Sequence, residues 1–141
     1  MKKIFTAMLF ALMTTGFAYA QSTTPAASAT DTTNGPKIRF VSLVHDYGTI
    51  EKGGDGNCEF TFTNAGNEPL ILSSVRASCG CTTPSWTQKP VMPGNNGTIK
   101  VHYNTNNVGS FTKSITVTSN AVNDARVVLK IKGTVLKPEQ K

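Results

Sequence analysis

Residues 58–64 read CEFTFTN, and this stretch decides the fold because apolar and polar side chains alternate strictly along it. Cys58, Phe60 and Phe62 fall on one side of an extended chain, while a glutamate and two threonines fall on the other. A period of two is that of a β-strand with one buried face, since successive side chains of a strand point in opposite directions. The stretch therefore predicts a strand whose apolar side faces a core.

The same alternation recurs in short segments throughout residues 37–137, separated by Gly, Asn, Asp and Pro, and no segment shows a helical period. Residues 99–103, IKVHY, place Ile99, Val101 and Tyr103 inward and His102 outward. Two later segments predict further inward faces. The first consists of Phe111, Ile115, Val117 and Ser119, with Lys113 in the same phase but not expected to be buried, and the second of Val127, Leu129, Ile131, Gly133 and Val135.

The number of these segments predicts the architecture. About seven strands within about 100 residues are typical of an all-β fold, a single immunoglobulin-like antiparallel β-sandwich. A small barrel is the alternative. Trp86 follows all three cysteines, whereas a true immunoglobulin domain has its tryptophan between two cysteines on facing strands. We therefore expect the architecture of an immunoglobulin domain without its central bridge.

The start of the chain predicts export. Two lysines precede an apolar stretch at residues 4–17, and Ala18-Tyr19-Ala20 supplies the small residues that a signal peptidase accepts. We expect a signal peptide over residues 1–20, cleaved between Ala20 and Gln21, and a soluble mature protein that is periplasmic or secreted. A retained membrane anchor is the alternative, although the apolar stretch is shorter than the about 20 residues of a spanning helix.

The rest of the chain predicts one domain with short appendages. Residues 21–36 contain Ser, Thr, Ala and Pro but no large apolar side chain, so we expect a flexible linker there. Residues 37–137 are expected to form the sandwich, and residues 138–141 a tail.

The net charge of the mature chain does not predict a particular class of binding partner. Twelve basic and eight acidic residues follow residue 20, which gives a net charge of +4. The basic residues are scattered, with no aromatic residues interleaved, so the pattern predicts no nucleic-acid surface. We expect the partner to be another protein or a component of the cell envelope.

The cysteine pair in residues 76–86, RASCGCTTPSW, is the one reactive-looking motif. If the preceding strand keeps its alternation, one face holds Ile71, Ser73, Val75, Ala77, Cys79 and Cys81. Extended residues two apart have Cα atoms about 6.6 Å apart, which is at the upper edge of the range of a disulfide, and a turn at Gly80 would shorten this distance. So small a ring removes little unfolded-state entropy, and its strain would make the bond easily reduced.

Three interpretations of Cys79 and Cys81 follow. In the first, they pack or pair locally while Trp86 covers the core. In the second, they exchange thiols with a partner. In the third, two same-face thiolates bind a soft cation such as Cu(I), and the shell is completed by His45, His102 or Met92.

The third cysteine and the acidic residues suggest no further chemistry. Cys58 shares its face with two phenylalanines and is expected to be a small buried hydrophobe, with a bridge to Cys79 or Cys81 as the alternative. No Gly-x-Ser-x-Gly motif and no paired carboxylates occur in the sequence, so we expect neither an enzyme nor a cofactor.

Six segments resemble, in order, the bacterial domain of unknown function 1573: VHDYGTI, FTFTNAGNEPLIL, VRASCGCTTPSW, VMPGNNGTIKVHYN, GSFTKSITVTSNA and LKIKGTV. The resemblance runs from about Ile38 to Val135, and its most specific features are the SCGCT motif at residues 78–82 together with HDYGTI and FTNAG. It implies an immunoglobulin-like fold of the sperm-protein and hydin type, whose domains serve mainly as interaction modules. It also implies an exported protein of a kind abundant in the Bacteroidetes. The resemblance implies no established chemistry, and it does not imply a disulfide at Cys58.

These observations favour an exported immunoglobulin-like module that serves in interaction or structure. The alternative function is a thiol-redox or copper-binding protein that acts through Cys79 and Cys81.

Overall fold

The computed structural model describes residues 34–138. The expected signal peptide, its cleavage site between Ala20 and Gln21 and most of the expected linker and tail lie outside the described residues. The described chain begins with packed backbone: Gly35 and Pro36 are buried, and the Gly35 N–H donates a hydrogen bond to Asn67 Oδ1 at 2.7 Å. No helix within residues 34–138 is long and apolar enough to cross a membrane.

Eight strands form two four-stranded sheets. They are β1 (Ile38–Phe40), β2 (Val44–Glu51), β3 (Asn57–Asn64), β4 (Leu72–Ala77), β5 (Thr82–Trp86), β6 (Asn96–Tyr103), β7 (Gly109–Ser119) and β8 (Arg126–Leu136). Sheet A has the order β1-β3-β6-β5, and sheet B has the order β2-β8-β7-β4. All neighbours are antiparallel except β2 and β8, which are parallel. The predicted all-β sandwich is confirmed, and the barrel alternative is wrong.

The eighth strand arises because the first predicted strand divides between the two sheets. The chain leaves sheet A after Phe40 and enters sheet B at Val44, so β1 pairs with β3 whereas β2 pairs with β8. The crossing is held locally by Ser42, whose hydroxyl donates to the Val44 carbonyl oxygen at 2.8 Å. A period of two cannot reveal such a crossing, because alternation continues on both sides of it.

The core lies between the sheets, and the predicted inward faces of β3, β6, β7 and β8 are confirmed. Phe60 and Phe62 from sheet A meet Ile115, Leu129 and Ile131 from sheet B, and all five are at most 3% exposed. At one end of this core the ring of Tyr103 stacks on that of Phe111, with 3.8 Å between the ring centroids. Burial of these large side chains is the main favourable contribution to folding.

Strand β4 departs from the predicted phase at its start. A β-bulge between Leu72 and Ser74 shifts the register against β7, so Leu72 is buried whereas Ile71 and Ser73 are exposed. Because the bulge adds one residue, the side chains that would point inward before it point outward, and those that would point outward point inward. Beyond it Val75 is buried as predicted. The strand ends at Ala77, so the cysteine pair lies outside the strand rather than on its face.

The buried amide of Asn64 ties three separate segments together at the end of β3. Its Nδ2 donates to the carbonyl oxygens of Glu68 (2.7 Å) and Val91 (2.9 Å). Its Oδ1 accepts from the backbone N–H groups of Gly66 (2.9 Å) and Lys37 (3.3 Å). Asn64 is 0% exposed, so these four bonds satisfy groups that water cannot reach.

Candidate functional site

The cysteine pair forms a disulfide in the turn between β4 and β5. Cys79 and Cys81 are bonded to each other, with 5.3 Å between their Cα atoms. The turn joins the edge strand of sheet B to the edge strand of sheet A. It is anchored to both sheets, because the Ser78 N–H donates to the Ser114 carbonyl oxygen and the Asn104 N–H donates to that of Cys81, each at 2.9 Å.

Both sulfurs lie beside the hydroxyl of Thr82. Its Oγ1 is 3.8 Å from Cys79 Sγ and 3.9 Å from Cys81 Sγ, and its side chain is buried whereas the two cysteines are half-buried. A hydroxyl in this position can donate a hydrogen bond to whichever sulfur becomes a thiolate. The sequence gives little sign of this role, because a threonine after a cysteine is also ordinary strand composition.

Gly80 separates the two cysteines and is exposed. Its φ is not in the left-handed region, and a Cβ added to it would meet no atom within 4 Å. The fold therefore requires a glycine here neither for backbone conformation nor for packing.

Two of the residues predicted to help bind a metal, His45 and Met92, lie on parts of the fold away from the cysteine turn, whereas His102 lies opposite Thr83, two residues after Cys81. His45 is on β2, at the opposite edge of sheet B, where its ring packs edge-on against Tyr47 at a centroid distance of 4.5 Å. His102 points outward from sheet A, with its Nδ1 3.0 Å from Asn57 Oδ1. Met92 follows Val91, which bridges to Leu70 at the far end of β4 from the cysteines.

No three His, Cys, Asp or Glu side chains within residues 34–138 cluster as ligands of a metal would. Copper binding by Cys79 and Cys81 requires two thiolates, and the disulfide supplies none. The soft-metal interpretation therefore stays a prediction for the reduced chain.

Cys58 is free and buried in the core, and the alternative bridge to Cys79 or Cys81 is not present. Burial raises the pKa of its thiol, and a hydrogen bond with the Tyr47 side chain lowers it by a smaller amount. Trp86 is half-buried against the same core, as predicted for a residue that covers it. Its buried Nε1 finds no hydrogen-bond partner within residues 34–138.

Cys58 should be inert in the folded protein. With excess iodoacetamide at pH 8 and no reductant, the native chain should gain no carbamidomethyl group, because a buried thiol of raised pKa exposes little thiolate. In urea the chain should gain one group, and in urea with reductant three. Intact mass measures all three states. Modification of Cys58 in the native chain would contradict the burial described here.

The outer face of sheet B collects basic side chains that are distant in sequence. Arg76 on β4 and Arg126 and Lys130 on β8 all point outward and are exposed, on either side of the hydroxyl-rich strand β7. The single ion pair within residues 34–138 joins Lys132 to Asp46 at 3.1 Å, farther along the same face. We call the surface of Arg76, Arg126 and Lys130, with Ser74, Ser78, Ser114, Thr116, Thr118 and Val128 between them, the basic face.

The outer face of sheet A is different in charge. Its concavity of about 520 Å³ is lined by Glu59 and Lys100, which are opposite one another in the strand register, and by His102 with polar neighbours. In this concavity a carboxylate and an ammonium group therefore lie opposite each other, unlike the cations of the basic face, which are unpaired within residues 34–138. The outer face of sheet A provides a matched control surface for the basic face.

The eight strands form two four-stranded sheets, and the chain crosses from β1 in sheet A to β2 in sheet B. This arrangement defines an immunoglobulin-like β-sandwich domain. The family model described as "Protein of unknown function (DUF1573)" matches residues 38–135. The chain belongs to this family. None of the curated proteins matches the chain.

Solved structures of similar fold come from very different proteins. A protein of unknown function from Porphyromonas gingivalis W83 matches at TM-score 0.64 and 19% identity, over 79% of this chain and 51% of its own. The ASH/PapD-like domain of human CEP192 matches at TM-score 0.58 and 13% identity, over 73% of this chain and 87% of its own. The VesB protease of Vibrio cholerae matches at TM-score 0.58 and 14% identity, over 70% of this chain and 32% of its own.

These likenesses show the fold alone. This chain spans about half the length of the Porphyromonas protein and a third of the protease. The function of such a sandwich depends on its surface residues, so a shared fold does not imply a shared activity.

Proposed function

We propose that the protein is an exported immunoglobulin-like module that binds another molecule in the periplasm or outside the cell and performs no catalysis. The observation that carries the proposal is the basic face, where three exposed cations have no carboxylate partner within residues 34–138. These unpaired cations give the face a net positive charge, which attracts a ligand of opposite charge.

Strand addition at a sheet edge is not the mode of binding that we propose, because all four edge strands are protected. Strand β1 has three residues, and β5 contains Pro84, which cannot donate a hydrogen bond. Strand β2 is interrupted at Gly48, whose N–H donates to Asp46 Oδ1 at 2.8 Å. Strand β4 begins with a bulge and carries Arg76. The outer face of a sheet is therefore more suitable than a sheet edge as the binding surface.

Cosedimentation with cell envelopes tests the proposal. The mature protein, residues 21–141, is labelled and mixed with envelopes prepared from the source bacterium, and the bound fraction is measured against protein concentration. Binding should saturate, and it should weaken in Arg76→Glu while Lys100→Glu on sheet A leaves it unchanged. Non-saturating binding, or equal losses in the two variants, would argue against a specific face.

Thiol exchange is the second candidate function, and the observation in its favour is the Thr82 hydroxyl beside both sulfurs. A thiolate of a partner dithiol would attack one sulfur, forming a mixed disulfide and releasing the other as a thiolate that takes up a proton. The second thiol of the partner would then release the first sulfur. The partner is oxidised to a disulfide, and Cys79 and Cys81 are reduced by two electrons and two protons.

Thr82→Val should slow reduction of this disulfide by dithiothreitol about fivefold, because the leaving thiolate loses a hydrogen bond worth about 1 kcal/mol. Thr82→Ser should restore the rate, since it keeps the hydroxyl. The rate is measured on the native protein by acid quenching, alkylation and mass. If the disulfide of the wild-type protein is reduced only when the domain unfolds, the thiol candidate fails.

A further inference from the structure

The basic face has a concave centre. Ser74, Ser78, Ser114, Thr116 and Thr118 line a depression of about 290 Å³, with Arg76 and Arg126 at its sides. The strand register aligns these residues across the sheet, since Ser74 lies opposite Thr118 and Thr118 lies opposite Arg126. In the next outward row, Arg76, Thr116 and Val128 lie opposite one another. The floor thus offers hydroxyl donors and acceptors between two guanidinium groups.

The three cations form a wide triangle. Strands β4 and β8 flank β7, so their backbones are about 10 Å apart, and one outward row corresponds to about 7 Å along a strand. The Cα atom of Arg76 is therefore roughly 12 Å from those of Arg126 and Lys130, which are about 13 Å from each other. Cations with this spacing suit separate anionic groups on one extended ligand rather than a single small ion.

The side chains between the cations favour a sugar polymer. Four half-buried hydroxyl groups and the exposed hydroxyl of Ser78 can bond to sugar hydroxyls, and Val128, which is 45% exposed, offers an apolar contact to the C–H face of a sugar ring. No aromatic side chain lies on this face, so bases have nothing on which to stack and a bilayer meets no interfacial anchor.

We propose that the basic face binds an acidic polysaccharide. Arg76, Arg126 and Lys130 pair with its carboxylate or sulfate groups, and the serine and threonine hydroxyls between them bond to its neutral hydroxyls. This inference rests on the proposed function, because it names the class of partner that the exported module binds. It does not involve the cysteine pair.

Titration of the mature protein with defined polymers tests the inference. The probes are polygalacturonate and chondroitin sulfate, with neutral dextran, phosphatidylglycerol vesicles and double-stranded DNA for comparison, all at 150 mM salt. We expect the two acidic polysaccharides to bind and dextran not to bind. Arg76→Gln/Arg126→Gln should weaken binding at least about tenfold, the effect of losing one charge-assisted contact. The matched control Lys100→Gln should change it less than about twofold.

Several results would overturn the inference. Equal weakening by Lys100→Gln would show attraction to net charge rather than to a site. Equal or tighter binding of vesicles or DNA, lost in the same double variant, would assign the face to a membrane or a nucleic acid. Absence of binding to both acidic polysaccharides, together with saturable binding to envelopes, would end the inference and leave the binding-module proposal standing. Circular dichroism confirms that each variant is folded.

Discussion

Asn64→Ala should lower the free energy of unfolding by about 3 to 4 kcal/mol, a large effect for a polar residue. The substitution deletes four hydrogen bonds and leaves the carbonyl oxygens of Glu68 and Val91 without their amide donor. Because Asn64 is 0% exposed, water cannot replace the lost partner without a rearrangement of the surrounding loops. Urea unfolding, followed by tryptophan fluorescence, measures the change.

Asn96→Ala is the matched control for this measurement. Asn96 is also an asparagine in sheet A, but it is exposed, and its Oδ1 accepts a single hydrogen bond, from Thr63 Oγ1 at 2.7 Å. Its loss should cost less than about 0.5 kcal/mol. If Asn64→Ala and Asn96→Ala destabilise the domain equally, the buried amide does not hold the three segments together.

Phe62→Ala should be the most destabilising of the core substitutions, at about 3 to 5 kcal/mol. The ring of Phe62 is 0% exposed and packs against that of Phe40, with 5.6 Å between centroids. It also lies over Gly97 on the paired strand β6, where an added Cβ would overlap the ring. Gly97→Ala alone should therefore cost about 1 to 3 kcal/mol through overpacking.

The two positions should be coupled. In Phe62→Leu/Gly97→Ala the smaller side chain makes room for the new methyl group, so the double variant should be more stable than the sum of the single changes indicates. Urea midpoints of the four proteins in the cycle give the coupling. Strict additivity would mean that the ring and the glycine are not in contact. Glu59→Ala, on the exposed side of the same strand, should have little effect.

The sheet faces could be predicted from the sequence because burial imposes a period of two on β3, β6, β7 and β8. The division of the first strand between sheets and the bulge at Leu72 could not, because both preserve short-range alternation while changing which partner a strand meets. The role of Asn64 could not be predicted from the sequence either. An asparagine before Ala-Gly suggests a turn, and its hydrogen-bond partners come from residues up to 27 positions away.

The candidate site was predicted in part. The proximity of Cys79 and Cys81 follows from their spacing, but Thr82 as the neighbour of both sulfurs depends on the turn after Ala77. The basic face could not be predicted from the sequence, because Arg76 and Arg126 are 50 residues apart in the chain. The sequence pattern does place each of the three cations of this face at an outward position of its strand. Only the strand order brings the three together.

Photocrosslinking in living cells tests the central claim most directly. A photoreactive amino acid replaces Val128, which lies between Arg126 and Lys130 on the basic face, and in a second strain it replaces Lys100 on the outer face of sheet A. The account predicts an adduct of the protein at Val128 that disappears in Arg76→Glu and persists when Cys79 and Cys81 are both changed to serine. An adduct at Lys100 instead, or one that requires the two cysteines, would contradict it.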